Sequence, residues 1–279
     1  MPEMLRREEE REFTFTDQQF RYLAGLAFDR TGIVLAEHKK DMVYSRLVRR
    51  LRALKLNDFT DYCDLVRADN GEVGNLVNAL TTNLTHFFRE KHHFDHLRDA
   101  VLAPLAAQPP QPRKLRIWSA GCSSGMEPYS IAMTVKGALR DLTKWDARIL
   151  ATDIDTNMLA TGAEGSYPAE QYEKIPETYR GDVMQDTKGD IHMSDILKEM
   201  ITFKPLNLLE AWPMQGLFDA VFCRNVVIYF DKPTQAGLFA RIANLLKPQG
   251  WLYIGHSENL FKVSDRFELL GRTIYRKVR

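Results

Sequence analysis

The chain has 279 residues and a formal net charge of +1, with 44% hydrophobic and 27% charged residues, which is typical of a globular protein of one or two domains. Its near-neutral charge provides no general attraction to nucleic acid or to a membrane surface. The sequence contains no run of about 18 apolar residues, the length needed to cross a bilayer. Its three scattered cysteines favour a reducing compartment. We therefore expect a cytoplasmic protein that binds no nucleic acid and does not insert into a membrane.

The N-terminal third is predicted to be helical. Residues 1–12 are rich in Arg and Glu and are predicted to form a disordered tail. Residues 13–82 show helical periodicity and are predicted to form a small helical domain, in which Thr16 or Asp17 caps the first helix. The helices are expected at about 17–29, 37–55, 58–67 and 72–80.

The predicted helix 37–55 concentrates positive charge in a chain that is nearly neutral overall. Its seven cations are Lys39, Lys40, Arg46, Arg49, Arg50, Arg52 and Lys55. A basic helix face is often only solvated. The asymmetry nevertheless favours docking to an acidic partner by electrostatic steering.

The rest of the chain is predicted to be an α/β domain preceded by a connecting segment. Residues 83–113 form a linker and active-site segment, with a helix to about Ala107 and a proline-rich stretch at 104–114. Residues 114–279 alternate between strands and helices. Strands are expected at 115–120, 148–152, 218–223, 250–255 and within 267–277, and helices at 127–140, 156–163 and 233–246. Residues 165–205 break this alternation and are predicted to form an inserted β-subdomain.

The glycine-rich turn Gly121–Gly125 lies between the first predicted strand of this domain and a helix. Such turns bring backbone close to nucleotide-like ligands. Glu127, in the first helical turn, would repel a pyrophosphate, whereas it suits the ammonium and sulfonium groups of S-adenosylmethionine (AdoMet). The alternative is that Glu127 is only a favourable acid near a helix N-terminus.

Further polar residues follow other predicted strands. Asp153 could accept hydrogen bonds from ribose hydroxyls, while Asp155 or Thr156 could cap the next helix. Since ligands bind at the carboxyl edge of open α/β sheets, the same edge should contain several more residues. These are Arg224 and Asn225, which follow the strand 218–223, and Tyr229, for which the sequence alone favours ordinary packing. Asn207 and Leu208 precede that strand and could offer amide and apolar contacts to a purine.

The segment 81–90 changes from polar to aromatic to basic near the predicted domain boundary. Arg89 could hold a carboxylate in a bidentate pair. Alternatively, Asn83 or Thr85 caps a helix there, with Phe87 and Phe88 as core anchors. His92 and His96 share a helical face, but no Cys or acidic set completes a metal site. We therefore expect no bound metal and a solvated histidine face.

Together these segments resemble the CheR family, the chemotaxis receptor methyltransferases that transfer a methyl group from AdoMet to protein glutamates. The resemblance covers the chain from about Phe13 onward. It is carried by Thr82–Arg89, Trp118–Ser130, Ala151–Asp155 and Cys223–Phe230.

The resemblance implies a small N-terminal helical domain and a Rossmann-like class I AdoMet methyltransferase domain with an inserted β-subdomain. It implies S-adenosyl-L-methionine as cofactor, S-adenosyl-L-homocysteine as product and the cytoplasmic domains of methyl-accepting chemoreceptors as partners. The family's cofactor contacts match Asn83, Thr85, Arg89, Glu127, Asp153, Asn207, Leu208, Arg224 and Asn225. Its catalytic positions match Arg89 and Tyr229, and its receptor-docking helix matches Arg46, Arg49, Arg50, Arg52 and Lys55.

Two departures from the family pattern qualify this expectation. Met126 replaces the first of two acids, although Glu127, the contact position, is retained. The stretch Ile191–Ile196 lacks the closely spaced arginines of members that tether to a receptor's C-terminal pentapeptide, which argues against such tethering here. We also expect a monomer.

The sequence supports three other functional classes less well. A non-catalytic AdoMet-sensing module would not need both Arg89 and Tyr229. A nucleic-acid methyltransferase acting on amino groups would have an Asn-Pro-Pro-Tyr type motif, whereas Asn225 is followed by Val226 and Val227. An NAD oxidoreductase would have the G-x-G-x-x-G fingerprint, which is absent.

Overall fold

The computed structural model of the protein describes residues 11–107, 113–139 and 141–279. The chain divides into two compact units, with the boundary between Thr82 and Asn83. Most of the predicted tail and the proline-rich centre of the predicted linker lie outside the described residues. The two described tail residues, Arg11 and Glu12, form ion pairs with Asp41 and Arg52. None of the described helices is long and apolar enough to cross a membrane.

The described part of the first unit, from residue 11 onward, contains four α-helices around one apolar core. The helices are α1 (Asp17–Thr31), α2 (Lys40–Leu54, preceded by the 3₁₀ turn Glu37–Lys39), α3 (Phe59–Ala68) and α4 (Asn70–Leu80). Thr16 forms a capping box with Gln19, so the predicted cap of α1 is confirmed. Each helix contributes fully buried side chains to the core, including Leu23, Leu47, Leu51, Phe59, Tyr62 and Leu76.

The cations of α2 differ in how they are used within this unit. Arg50 forms an ion pair with the buried carboxylate of Glu72, and Arg46 donates to the carbonyls of Leu80 and Thr81, each at 2.7 Å. Arg52 is paired with Glu12. Arg49 and Lys55 are exposed and form no ion pair among the described residues. Of the predicted docking residues, Arg49 and Lys55 are therefore the exposed cations that no described ion pair engages.

The second unit is built on a seven-stranded sheet in the order β6-β2-β1-β7-β8-β10-β9. Its strands are β1 (Lys114–Ala120), β2 (Asp146–Asp153), β6 (Ile201–Pro205), β7 (Phe218–Cys223), β8 (Leu246–Ile254), β9 (Phe267–Gly271) and β10 (Ile274–Lys277). The first five are parallel, whereas β10 is antiparallel to both β8 and β9. The helical-plus-α/β fold class is confirmed.

The helices of this unit pack on the sheet. They are α5 (His92–His96), α6 (Ala103–Ala107), α7 (Met126–Ala138), α8 (Thr156–Glu164), α9 (Asp195–Met200) and α10 (Lys232–Leu245), with a π-helical segment (Leu97–Leu102) between α5 and α6. Helix α7 is buried over nearly its whole length. Shorter 3₁₀ turns lie at Leu142–Lys144, Ala169–Lys174, Glu177–Asp182 and Val227–Tyr229.

The inserted β-subdomain is shorter than expected. Strands β3 (Ser166–Tyr167), β4 (Val183–Gln185) and β5 (Ile191–Met193) form a separate antiparallel sheet in the order β3-β5-β4. Residues 195–205, however, form α9 and β6, and β6 pairs in parallel with β2 from Ile149 to Asp153. Assigning 201–205 to the insertion was therefore wrong, because this strand completes the edge of the main sheet.

The Arg50–Glu72 pair should stabilise the helical unit. Glu72→Gln removes the charge opposite a partly buried guanidinium and should cost about 1–3 kcal/mol at neutral pH. Burial opposes ionisation of Glu72, but the hydrogen bonds from Arg50 and Asn75, together with the charge of Arg50, lower the pKa of Glu72 below the ordinary value of 4.5. The stabilisation is therefore present above pH 4.5 and is lost as the pH falls through the lowered pKa.

Urea unfolding of the full chain, followed by circular dichroism at several pH values, would measure this difference. The wild type and Glu72→Gln should converge in acid. Glu12→Gln, which breaks the exposed pair with Arg52, is the matched control and should change little. Equal stability of Glu72→Gln and wild type at neutral pH would contradict the prediction.

Candidate active site

The order of the strands places a crevice at one edge of the large sheet. Strand β2 lies on one side of β1 and β7 lies on the other, so the strand order reverses at β1. Ligands of open α/β sheets bind at the carboxyl ends of the strands, next to this point of reversal. All predicted residues that follow these parallel strands lie at their carboxyl ends. They are Glu127 after β1, Asp153 at the end of β2, Asn207 and Leu208 after β6, and Arg224 and Asn225 after β7.

The glycine turn after β1 requires glycine for two reasons. Gly121 has φ +80° and Gly125 has φ +87°, which are left-handed conformations that favour glycine. A Cβ on Gly121 would also lie 2.3 Å from Cγ2 of Val226, in the loop after β7. The two loops that border the crevice therefore approach each other closely because Gly121 has no side chain.

Asp153 braces this turn from the end of β2. Its carboxylate accepts the backbone N–H groups of Ser123 at 2.7 Å and Asp155 at 2.9 Å. Burial raises the pKa of Asp153, and the hydrogen bonds from these amides only partly oppose the shift. Asp155 is the N-cap of α8, and it also accepts the Asn83 amide at 2.7 Å. Asn83 and Asp153 therefore belong to one hydrogen-bonded group beside the glycine turn.

Glu127 and Arg224 form the buried charged centre of the site. Arg224 is 6% exposed, and its guanidinium donates to the Glu127 carboxylate at 2.8 Å. The other Glu127 oxygen accepts the hydroxyl of Ser119 at 2.7 Å. A second carboxylate, that of Glu90, lies 3.3 Å from Arg224. Two carboxylates and one guanidinium leave a net negative charge at this edge.

Arg89 lies in a tight turn before α5. Its backbone carbonyl accepts a hydrogen bond from Arg224, and its guanidinium donates to the carbonyl of Leu84 at 2.8 Å. Phe87 and Phe88 are buried, as in the alternative interpretation of aromatic anchors, but α5 begins only at His92. The turn thus leaves the Arg89 side chain half-buried while its backbone is held from within the site.

The other predicted residues take different environments. Tyr229 is half-buried in the 3₁₀ turn Val227–Tyr229 after β7, and Thr85 is half-buried beside Leu84. Leu208 is buried in the core cluster that includes Trp118, and its carbonyl accepts Arg241 at 2.9 Å. The Asn207 amide oxygen accepts the backbone N–H of Leu209 at 3.0 Å, which shapes the turn after β6.

Three residues that the sequence analysis did not identify take part in the site. Glu258 is 5% exposed and accepts the backbone N–H groups of Asn225 at 3.0 Å and Val227 at 2.9 Å. The His256 backbone N–H and ring Nδ1 contact Glu90 at 3.1 and 2.9 Å. His256 and Glu258 lie in the turn that follows the end of β8 at Ile254. The rule that ligand-site residues follow the carboxyl ends of parallel strands, which identified Arg224, would therefore also have found them. No comparable signal marked Glu90.

The histidines of α5 make internal contacts rather than forming a solvated face: His92 and His93 contact the hairpin turn between β9 and β10, and His96 Nδ1 contacts the Tyr253 hydroxyl at 3.0 Å. His92 contacts the Arg272 carbonyl at 2.9 Å, and the fully buried His93 contacts Thr273 Oγ1 at 3.1 Å. Burial and the nearby Arg224 guanidinium lower the pKa of His93, so its ring is neutral at physiological pH. The expectation of a solvated histidine face was therefore wrong.

One group of side chains at this position has the spacing of a metal site. The ligand atoms of Glu90, His92 and His93 lie within 4.8 Å of one another. The Arg224 guanidinium lies 3.3 Å from the same Glu90 carboxylate, however, and already supplies a positive charge. The two histidines also face the Arg272 carbonyl at 2.9 and 3.3 Å. These contacts account for the cluster as an internal ion-pair and hydrogen-bond network.

Comparison with known proteins gives matches over almost the whole chain. Residues 83–276 match the CheR methyltransferase SAM binding domain, and residues 18–81 match the CheR methyltransferase all-alpha domain. A probable chemotaxis protein methyltransferase of Rhizobium etli is 43% identical over 90% of this chain and 96% of its own length. Chemotaxis protein methyltransferase 2 of Pseudomonas aeruginosa is 43% identical, covering 95% of this chain and 94% of its own. The chemotaxis protein methyltransferase of Escherichia coli is 44% identical, covering 93% and 91%.

The residues at the sheet edge fit AdoMet, the cofactor of the matched domain. Glu127 and Glu90 give this edge a negative charge that suits an ammonium or sulfonium group. Asp153, braced by two amides, can accept hydrogen bonds from ribose hydroxyls at a fixed position. The glycine turn keeps the two bordering loops at their close spacing.

The spacing of these loops predicts that Gly121→Ala will weaken AdoMet binding. The added Cβ would overlap Val226 and force a non-glycine residue into a left-handed conformation, which costs about 1–2 kcal/mol before any displacement of the loops. Calorimetric titration with AdoMet should show an affinity at least about tenfold lower. Gly237→Ala in α10, where a Cβ meets nothing within 4 Å, is the matched control and should bind normally. Unchanged affinity of Gly121→Ala would contradict this account of the turn.

Proposed function

Because the chain belongs to the CheR methyltransferase family, we propose that it methylates glutamate side chains on the cytoplasmic helices of chemoreceptors. The product would be a glutamate 5-methyl ester, formed with AdoMet as methyl donor. The similarity to the three chemotaxis protein methyltransferases described above supports the signalling context.

The contrast between the two arginines of the site carries the proposal. Arg224 is buried and already faces the carboxylates of Glu90 and Glu127. Arg89 is half-buried, and its guanidinium makes one hydrogen bond, to the Leu84 carbonyl, in the part of the chain that the structure describes. A guanidinium has five N–H donors in a planar fork, so Arg89 retains donors for the carboxylate of an incoming glutamate.

The chemistry needs positioning rather than proton transfer. A glutamate side chain has an ordinary pKa of about 4.3 and is already ionised at neutral pH, so no general base is required. AdoMet supplies the electrophilic methyl group. Arg89 would orient the acceptor carboxylate, and Tyr229, in the turn after β7, would donate a hydrogen bond beside it. Holding two reactants in the correct geometry can contribute about 7–11 kcal/mol.

The other site residues would bind the cofactor. Glu127 would attract the ammonium of the methionine moiety, and Asp153 would accept hydrogen bonds from the ribose. Asn83 and Thr85 would border the cofactor at the start of the second unit, and Asn207, Leu208, Arg224 and Asn225 would border it at the ends of β6 and β7. Because a carboxylate and a sulfonium become a neutral ester and thioether, a crevice with limited water would favour the transfer.

The central test is methyl transfer to a receptor with methyl-labelled AdoMet. Carboxyl methyl esters hydrolyse in mild alkali, whereas N-methyl groups do not, so the label on the receptor should be base-labile. Arg89→Ala should lower kcat about 100-fold or more because the acceptor loses its orienting cation, while AdoMet still binds. Arg89→Lys should recover only part of the rate, since a point charge replaces the planar fork.

Arg98→Ala is the matched control for Arg89→Ala. Arg98 is half-buried and pairs with Asp95 and Asp99, none of which is a predicted site residue, so its removal should leave kcat unchanged. A base-stable label would show that the methyl group is attached to an acceptor other than a carboxylate, which would contradict the proposed function. Full activity of Arg89→Ala would remove Arg89 from the mechanism.

We further propose that the exposed cations of α2 steer the receptor to the enzyme. Arg49 and Lys55 are exposed and form no ion pair with a described residue, whereas Arg50 is committed to Glu72. Arg49→Glu combined with Lys55→Glu should reduce kcat/KM for receptor about five- to tenfold at low ionic strength. The difference should shrink at high salt, while AdoMet affinity stays the same.

Lys144→Glu controls for reversal of an exposed cation outside α2. Lys144 is an exposed cation of the second unit that pairs with Asp141, and its reversal should have little effect on receptor methylation. If the α2 variant and wild type have equal kcat/KM at low salt, the docking surface lies elsewhere.

A further inference from the structure

The two loops that contain Arg89 and Tyr229 adopt costly backbone conformations. Arg89 lies between Phe88, with φ +53°, and Glu90, with φ +58°. In the loop that leads to Tyr229, Asn225 has φ +58°. Residues with side chains adopt such left-handed conformations at a cost, and they persist only where surrounding contacts over-determine them. Each loop therefore needs an anchor.

The first anchor is the carboxylate of Glu258. It is buried and accepts the backbone N–H groups of Asn225, Val227 and Gly255. A Cβ at Gly255 would lie 2.2 Å from the Asn225 side-chain nitrogen, so the turn and the loop are in direct contact. The loop with Asn225 and Tyr229 is thus tied to the turn at residues 255–258, immediately after β8.

The second anchor starts from the same turn. The His256 backbone N–H and ring Nδ1 contact one Glu90 oxygen at 3.1 and 2.9 Å. The other Glu90 oxygen lies 3.3 Å from the Arg224 guanidinium, which also donates to the Arg89 carbonyl. The loop with Arg89 is therefore held from two directions through Glu90.

The negative charge of Glu90 is balanced by the guanidinium of Arg224. Although burial opposes ionisation, Arg224 and the hydrogen bonds from His256 lower the pKa of Glu90. Glu90 is therefore a carboxylate at physiological pH, facing a fixed guanidinium. An amide side chain of the same shape would keep the size of Glu90 but lose its attraction to Arg224.

We propose that the turn at residues 255–258 sets the position of Arg89 relative to Tyr229, with Glu90 and Glu258 as positioning residues for methyl transfer. The proposal rests on the proposed function, in which Arg89 and Tyr229 lie beside the transferred methyl group. Neither carboxylate contacts the reacting atoms in this assignment. They act by fixing the backbone of the loops that do.

Glu90→Gln is the first variant that tests the proposal. It is nearly isosteric and can still accept the His256 N–H, but it removes the charge opposite Arg224. We expect kcat for receptor methylation to fall about tenfold or more, because small displacements of a positioning group reduce rates strongly. Because Glu90 also adds negative charge at this edge, Glu90→Gln should weaken AdoMet binding as well, so kcat is measured at saturating AdoMet. Glu90→Asp, which keeps the charge on a shorter side chain, should be intermediate.

Asp95→Asn is the matched control. Asp95 lies on the same stretch of chain, but its carboxylate pairs with the exposed Lys91 and the half-buried Arg98. It should have wild-type kcat. If Glu90→Gln has wild-type kcat, or if its loss of activity equals a loss of folded protein measured by thermal unfolding, the positioning role is wrong.

Hydrogen–deuterium exchange on the full chain tests the connection without using activity. Glu258→Gln should accelerate exchange of the amides of Asn225 and Val227, whose hydrogen bonds it weakens. If the turn connects the loops, the same variant should also accelerate exchange at the Arg89 amide, which donates to the His86 carbonyl at 3.3 Å. Peptides from the buried helix α7 should be unaffected. Changes confined to the Asn225–Tyr229 loop would overturn the proposed connection.

The two sets of measurements separate the possible failures. If the wild type gives no base-labile label on receptor, the proposed function fails, and the exchange data still decide whether the turn connects the loops. If the wild type methylates receptor but Glu90→Gln is fully active, the function stands and the positioning role fails.

Discussion

The site depends on one buried guanidinium. Arg224 is 6% exposed, and a buried cation is costly unless oppositely charged and hydrogen-bonding groups surround it. Glu127, Glu90 and the Arg89 carbonyl provide these partners. Because the partners come from the first turn of α7 and the turn before α5, satisfying Arg224 in the folded chain brings both segments against the end of β7. The buried charge has these partners only when the two segments are assembled.

The topology of the sheet explains why such distant residues meet. Parallel strands all end at the same edge, so the segments after β1, β2, β6, β7 and β8 converge there. Close approach is possible because two glycines lack side chains at the contacts. Gly121 lies against Val226, and Gly255 lies against Asn225. A larger residue at either position would separate loops that the site requires to touch.

The rule that ligand-site residues follow the carboxyl ends of parallel strands therefore predicted where much of the candidate site lies. Glu127, Asp153, Arg224 and Asn225 each follow an apolar run that is typical of a buried strand, and all lie at the predicted edge. The strand β6 was missed because only Ile201 of its five residues is buried, so this edge strand shows no apolar run. Elements with a clear local signal, such as α1 with its Thr16 cap, were predicted to within two residues.

Pairings between distant residues could not be predicted in this way. Glu90 and His256 are 166 positions apart, and no periodicity or motif connects them. The same limit applies to Arg50 and Glu72, whose ion pair removes Arg50 from the basic face that composition alone suggested. A count of charges on a helix cannot distinguish a cation that meets a buried carboxylate from one that remains in water.

The proposed division of roles between the two arginines would have an electrostatic consequence for methyl transfer. Two unneutralised guanidinium groups beside a sulfonium would oppose binding of the cofactor, because like charges repel strongly where little water screens them. Arg224 avoids this repulsion because Glu127 and Glu90 both face it. Arg89 can then act on the acceptor carboxylate alone. Its attraction must stay moderate, since an oxygen held too tightly loses nucleophilicity, and half-burial keeps the Arg89 side chain partly screened by water. The buried arginine thus organises the site, and the half-buried one is suited to orient the substrate.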